Sequence, residues 1–316
     1  MHLRTKIIRS DSFDPTYNLA LEEFLTKNVV EDDIILYLWQ NERTVVIGKN
    51  QNYWSEVNAP AAEADCVTVV RRLSGGGAVF HDLGNLNFTF ILRKENYDVQ
   101  RQLSVIIDAL GNLGIKAEKT GRNDIEADGR KFSGNAFFKS SAGWYHHGTL
   151  MVDVDKEKLG KYLNVSTAKL QSKGVKSVKA RVVNLKELRE DITIEMLCDE
   201  LYKAFGRIYG CDPIKKDPEE IDWAEVENLQ ERYSSWEWTK GRKIPFTVQI
   251  EKRFAWGNID LQMNVEGGII KDAICYSDAM NENIGEEIAK GLIGTEYVEG
   301  EAFLLKINEM VDDYEI

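Results

Sequence analysis

Residues 71–82, RRLSGGGAVFHD, constrain this chain more than any other stretch. Three successive glycines are costly inside a helix or a packed strand, since each lacks a Cβ and loses the most backbone freedom on folding. They follow the β-branched run 67–72, so the spacing predicts a strand that opens into a loop. Such a loop lets the backbone approach a ligand closely and turn N–H groups toward an anion. Arg71 and Arg72, at the strand end, offer planar, permanently charged forks for phosphate or carboxylate. A glycine-rich hairpin with surface arginines has the same local pattern, so other residues must decide between the two. Neither GxxxxGK followed by Ser or Thr nor GxGxxG occurs, which removes the P-loop and the dinucleotide fingerprint.

The rest of the chain is globular in composition. It has 316 residues, of which 43% are hydrophobic and 29% charged, enough for one large domain and a small one. A net charge of -12 repels phosphate backbones and argues against a nucleic-acid partner. The four cysteines, Cys66, Cys198, Cys211 and Cys275, form no close-spaced pair and read as reduced thiols. The first 18 residues lack an apolar secretion core, and the apolar runs are too short to span a bilayer. The expectation is a cytoplasmic protein without a membrane partner.

Asp14 and Pro15 read as a cap and first-turn proline for an amphipathic helix over 15–28. Strands are expected at 34–39, 44–48, 67–72 and 87–92, then near 115–119, 130–138 and 144–152. Apolar residues at helical spacing predict helices over 103–113 and 197–208. The two prolines of 211–220 mark a loop, and Pro245 is the better domain boundary. Three strands follow over 246–278, turning at Gly267 and Gly268, and two short helices close the chain. This mixture predicts an α+β fold, with domains at 1–245 and 246–316.

Three further segments carry chemistry. In GRND and DGRKFSG, Asn123 and Asp124 are hard oxygen donors suited to a Mg²⁺ shared with substrate phosphates. Lys131 sits on an expected strand, where its ammonium can meet a carboxylate and a phosphate together. In WYHHGTLM, His146 and His147 alternate across a strand, so they cannot readily share one metal ion; one is expected to face the pocket. In residues 169–185, Lys173, Lys176, Lys179 and Arg181 make a basic cluster, which reads either as a solvated loop or as a mobile lid for phosphate.

Taken together and in this order, RRLSGGGAVFHD, GRND, DGRKFSG, HHGTL and KGVKSVKARVVNL resemble the lipoate–protein ligase family. NLALEEFL, VVIGKNQN, SSWEW and FAWG extend the resemblance over most of the chain. It implies a mixed, mostly antiparallel sheet flanked by helices, as in biotin ligases and class II aminoacyl-tRNA synthetases, and a small α/β C-terminal accessory domain. It also implies ATP-dependent adenylation of lipoate with Mg²⁺, then transfer to a lysine of a lipoyl domain. The acceptors would be 2-oxoacid dehydrogenase acyltransferase subunits and the glycine cleavage H protein. Carried over position by position, Arg71, Gly76, Gly77, Ala78, Val79, Asn123, Lys173 and Lys179 would meet the nucleotide. Arg72, Ser74, Gly75, His81 and His147 would meet lipoate, Lys131 both substrates, and Asp124 the Mg²⁺. Two other readings remain: a lipoyl or octanoyl transferase, which needs a cysteine at the acyl carbon, and a silent lipoate or nucleotide sensor.

Overall fold

The computed structural model describes residues 3–120, 124–164, 182–241 and 243–311. Eight strands build the main sheet: β1 (Arg4–Arg9), β2 (Asp33–Trp39), β6 (Asn85–Leu92), β7 (Ala117–Thr120), β8 (Asp124–Ala127), β9 (Arg130–Lys139), β10 (Trp144–Met151) and β11 (Ile214–Lys215). Their order is β11-β1-β2-β6-β10-β9-β8-β7. β1 runs parallel to β2 and β11, and the other neighbours are antiparallel. This is the mixed, mostly antiparallel sheet that the resemblance implies.

β2 shows why the sheet lies between two helical layers. All seven of its residues are buried, so neither face meets solvent. Ile34, Leu36 and Leu38 pack with Phe88 and Phe90 of the sheet and with the helix residues Val105, Ile106 and Phe205. Ile35, Tyr37 and Trp39 pack on the other face with Leu21, Phe24, Leu25 and Tyr233. Strand periodicity thus feeds two cores from one strand. Helices Val99–Asn112 and Ile194–Tyr209 cover the first face; Pro15–Lys27 and Trp223–Ser234 cover the second. Asp14 caps the helix Pro15–Lys27 by accepting from Thr16 N at 2.8 Å.

A second sheet, order β4-β3-β5, joins β3 (Thr44–Ile47), β4 (Thr68–Arg71) and β5 (Val79–His81). A third consists of β12 (Val248–Arg253), β13 (Asn258–Glu266) and β14 (Ile269–Ser277), all antiparallel. Helices Ile284–Leu292 and Glu301–Glu309 pack on it around Leu261, Met263, Ile288 and Phe303.

The expected loop over 211–220 is only partly a loop. It contains β11, two residues long and exposed, and a single 3-10 turn at Pro218–Glu220. A two-residue edge strand leaves no period to read. The helix Trp223–Ser234 buries only Val226, Leu229 and Tyr233, a stripe too narrow to stand out in a polar segment.

Candidate active site

β4 and β5 lie on opposite sides of β3, with β4 parallel and β5 antiparallel to it. The glycine loop that joins them must therefore cross the C-terminal end of β3. Gly48 stands at that crossing, where a Cβ would lie 2.2 Å from Gly76 O. Gly76 adopts φ +87°, a conformation that suits glycine. Ser74 O accepts from Lys49 N at 2.9 Å, fixing the loop to the turn after β3. A Cβ on Gly77 would meet nothing within 4 Å, so this stretch of backbone is open.

Both arginine forks close on protein carbonyls. Arg71 donates to the carbonyls of Gly48, Lys49, Gln51, Trp238 and Thr239 at 2.6–3.0 Å. Arg72 donates through Nε to Ser74 Oγ at 3.0 Å and through Nη2 to Gly75 O and Gly77 O at 2.7 and 2.8 Å. Burial pushes both guanidinium groups down to about 10. They shape the loop from beneath.

Under the loop, His147 Nε2 lies 2.8 Å from Ser74 Oγ, and its Nδ1 lies 2.9 Å from Glu22 Oε1. His146 points to the opposite face, between Gln102 and Asn135. The alternation holds, but both rings are buried, because this sheet is covered on both sides. His81 is also buried, and burial together with Arg72 and His147 pushes it down to about 3. Asn41 Nδ2 donates to its Nδ1 at 3.3 Å; the hydrogen of the neutral ring is then on Nε2, which has no protein partner.

Lys131 reaches the same face through an irregularity. In the pairing of β8 with β9, Glu126 faces Lys131 but Ile125 faces Ser133, so one extra residue bulges at Phe132. A bulge of this kind re-aims the side chains on one side of it. Phe132 goes into the first core, and Lys131 turns toward Gly134, whose Cβ would lie 3.1 Å from Nζ. Gly134 and Ala136 share this face, and Ala136 is the β9 partner of His147. Two residues, roughly 7 Å of strand, separate Gly134 from Ala136. The result is a strip with Ser74 and His147 at one end and Lys131 at the other, with no side chain at Gly134 between them. Asp124, opposite Gly134, pairs with Lys131 Nζ at 2.6 Å. Val183 N donates to Lys131 O at 2.9 Å, so the residues after the lysine-rich segment begin at this corner.

The chain matches the family model "Lipoyl protein ligase A/B catalytic domain" over residues 14–206 and "Bacterial lipoate protein ligase C-terminus" over 243–314. A protein of Psychrobacter cryohalolentis named lipoate-protein ligase A is 41% identical, the match covering 93% of this chain and 89% of that one. This chain belongs to the lipoate–protein ligase family. A ligase of the same name from Blochmanniella pennsylvanica is also 41% identical, over 92% of this chain and 88% of its own. Among solved structures, P. falciparum LipL1 in complex with lipoate is 32% identical, with a TM-score of 0.82, covering 98% of this chain and 95% of that one. A bipartite ligase of Thermoplasma acidophilum, described with its E2 lipoyl domain, is 25% identical, with a TM-score of 0.67 over 78% of this chain and all of that one.

Of the site residues expected for a ligase of this family, Arg72, Ser74, Gly75, Gly76, His81 and His147 come together under and in the glycine loop, with Gly77, Ala78 and Val79 on its open side. Lys131 and Asp124 form the far corner. Asn123, Lys173 and Lys179 lie outside the described residues. Sequence reasoning missed Glu22 and Gly134. Glu22 had a signal: it sits three residues from both Leu19 and Leu25 on a helix, an acid on an apolar stripe. No group of three or more His, Cys, Asp or Glu side chains placed to hold a metal occurs among the described residues. Asp124 alone fits a Mg²⁺ held mainly by substrate phosphates, and does not fit a metal caged by protein.

The C-terminal unit rests on the glycine loop. Gly76 N donates to Ala279 O at 2.8 Å, and a Cβ on Gly75 would lie 2.4 Å from Met280 O. Asn50 Nδ2 donates to Asn281 O at 3.0 Å, and Lys139 N donates to Glu282 Oε1 at 3.3 Å. Burial pushes the Glu282 carboxyl above the usual carboxylate range.

Proposed function

We propose that this chain adenylates lipoate with ATP and transfers the lipoyl group to a lysine on the lipoyl domain of an acceptor protein. The observation that carries the reading is the strip: Ser74 and His147 under the glycine loop at one end, a lysine re-aimed by a bulge at the other, and a glycine between them. A carboxylate is a poor electrophile because its charge repels nucleophiles. Attack of a lipoate oxygen on the α-phosphorus of ATP expels pyrophosphate and leaves a mixed anhydride. Little covalent chemistry falls to the protein; placement and charge neutralisation supply most of the rate.

In this reading Lys131 leaves Asp124 to hold the lipoate carboxylate and the phosphate together. The loop Gly76 to Val79 meets the nucleotide, with Arg71 and Arg72 setting its base. Gly75, Ser74, His81 Nε2 and His147 border the acyl group. Asn123, Lys173 and Lys179 complete the phosphate site. Mg²⁺, held by Asp124 and the phosphates, supplies countercharge to the leaving pyrophosphate when bound. In the second step the acceptor amine attacks the anhydride carbonyl, AMP leaves, and Lys131 steadies the oxyanion.

The acceptors are 2-oxoacid dehydrogenase acyltransferase subunits and the glycine cleavage H protein, and the compartment is the cytoplasm. No helix among the described residues is long and apolar enough to cross a membrane. Catalytic and accessory domains divide at Pro245. A transferase needs a thiol at the acyl carbon. Cys198 and Cys275 are packed in cores away from the strip, and Cys211 hydrogen-bonds with Thr5 and Leu3. Cys66 lines a surface cleft with Phe13, Arg43 and Thr68. The test is mass spectrometry of an isolated lipoyl domain incubated with the chain, lipoate and ATP. The reading predicts one lipoyl group on the target lysine, only with ATP. Modification without ATP, from an acyl thioester donor, would replace it with the transferase.

A further inference from the structure

We propose that Glu22 is a positioning residue for adenylation, acting on the glycine loop through His147, Ser74 and Arg72. This rests on the ligase reading above and extends it to a residue that touches neither the loop nor, in that reading, the substrates' reacting atoms.

The helix Pro15–Lys27 holds Glu22 at 2% exposure, among leucines. A carboxylate in such a place is expensive unless its oxygens are bonded. Oε1 accepts from Thr89 Oγ1 at 2.7 Å and from His147 Nδ1 at 2.9 Å. Thr89 Oγ1 in turn accepts from Trp39 Nε1 at 3.0 Å, which leaves its own hydrogen for the carboxylate. A carboxylate can only accept, so His147 presents a hydrogen on Nδ1 to it, while Nε2 faces Ser74. The Ser74 hydroxyl at 2.8 Å is placed to donate to Nε2. Its lone pair is left for Arg72 Nε–H at 3.0 Å, and Arg72 Nη2 holds the carbonyls of Gly75 and Gly77.

With Ser74 as that donor, every hydrogen in this relay points one way, from Arg72 toward Glu22. Replacing Glu22 by an amide weakens that constraint: the amide can offer N–H to Nδ1, the His147 tautomer reverses, and Ser74 must turn its hydrogen elsewhere. The loss reaches Arg72, which sits under the loop with Glu22 as a buried counter-charge. A buried acid–histidine pair that served only the core would affect stability alone.

The experiment is lipoate-dependent ATP–pyrophosphate exchange, with thermal unfolding, on the wild type, Glu22→Gln, Glu22→Asp, Ser74→Ala and the Glu22→Gln, Ser74→Ala double variant. Glu22→Gln should raise KM for ATP roughly tenfold or more, the size seen for outer-layer partners of other sites, with a smaller change in kcat. Glu22→Asp keeps the charge one methylene short and should recover part of the loss. In the Ser74→Ala background Glu22→Gln should add almost nothing, because the relay is already cut. The proposal is overturned if Glu22→Gln lowers only the melting temperature, or if the two single losses multiply in the double variant. Should Glu22→Gln not fold, Glu22→Asp decides: an unchanged KM for ATP overturns the proposal. Absence of exchange in the wild type would instead remove the ligase reading itself.

Discussion

In the proposed reading, Lys131 is the residue on which the chemistry turns. Lys131→Ala should leave the fold intact, since the side chain is half-exposed and contributes one ion pair. It should cost about 3 kcal/mol of transition-state stabilisation, a hundredfold or more in rate, as for loss of one oxyanion donor; steady-state exchange kinetics measure this. Gly76→Val tests the loop. It places a β-branched side chain at φ +87°, 3.3 Å or less from Met280 Sδ and Arg72 Nη2. We expect a steep rise in ATP requirement, with a stability loss of about 1–3 kcal/mol; unchanged ATP affinity by calorimetry would make the loop a mere turn. His81 and His146 supply a pH signature, both held down to about 3 by burial. Because the folded values lie below the unfolded one near 6.5, their stabilisation is complete above pH 6.5 and is lost as pH falls toward 3. The slope is about 1.4 kcal/mol per pH unit for each histidine. Urea unfolding between about pH 6.5 and 4 should show it, and His146→Gln should lower the slope by one proton. The positions gathered on the strip stood out only as an ordered set of motifs, since a lone glycine run, lysine or histidine has ordinary structural uses. That Arg71 and Arg72 spend their donors on carbonyls was not legible, since a sequence gives the fork but not what it closes on.

At the level of elements, the site depends on two backbone devices. One is the crossover of the glycine loop over Gly48; the other is the bulge at Phe132. The strands themselves were readable: 34–39 and 144–152 come within one residue of β2 and β10. The bulge was not, because strict alternation would send Lys131 to the face opposite Gly134. Gly134→Val tests the strip that the bulge creates. Its Cβ would meet only the flexible end of Lys131, so the fold should tolerate it. The γ-methyls should displace the ammonium and fill the space between Lys131 and His147. We expect kcat/KM for lipoate to fall by tenfold or more, about 1.4 kcal/mol, while the melting temperature changes little. Equal kinetics in this variant would mean that substrate does not lie along the strip.

Across the whole molecule, the C-terminal unit and the main sheet meet at the nucleotide loop. Ala279 O takes the Gly76 N–H that the ligase reading assigns to ATP, and Glu282 is buried against β9. If the nucleotide takes that N–H, as proposed, the C-terminal unit must shift, and gating of a water-sensitive intermediate would ask for the same. Small-angle scattering with and without a stable lipoyl-AMP mimic should differ, and identical curves would count against a large rearrangement. In the proposed reading, one strip on the sheet activates lipoate with ATP. This is tested most directly by exchange of radiolabelled pyrophosphate into ATP, measured with and without lipoate, for the wild type and Lys131→Ala. Exchange should require lipoate and fall a hundredfold or more in the variant. Lipoate-independent exchange, or none in the wild type, would contradict it.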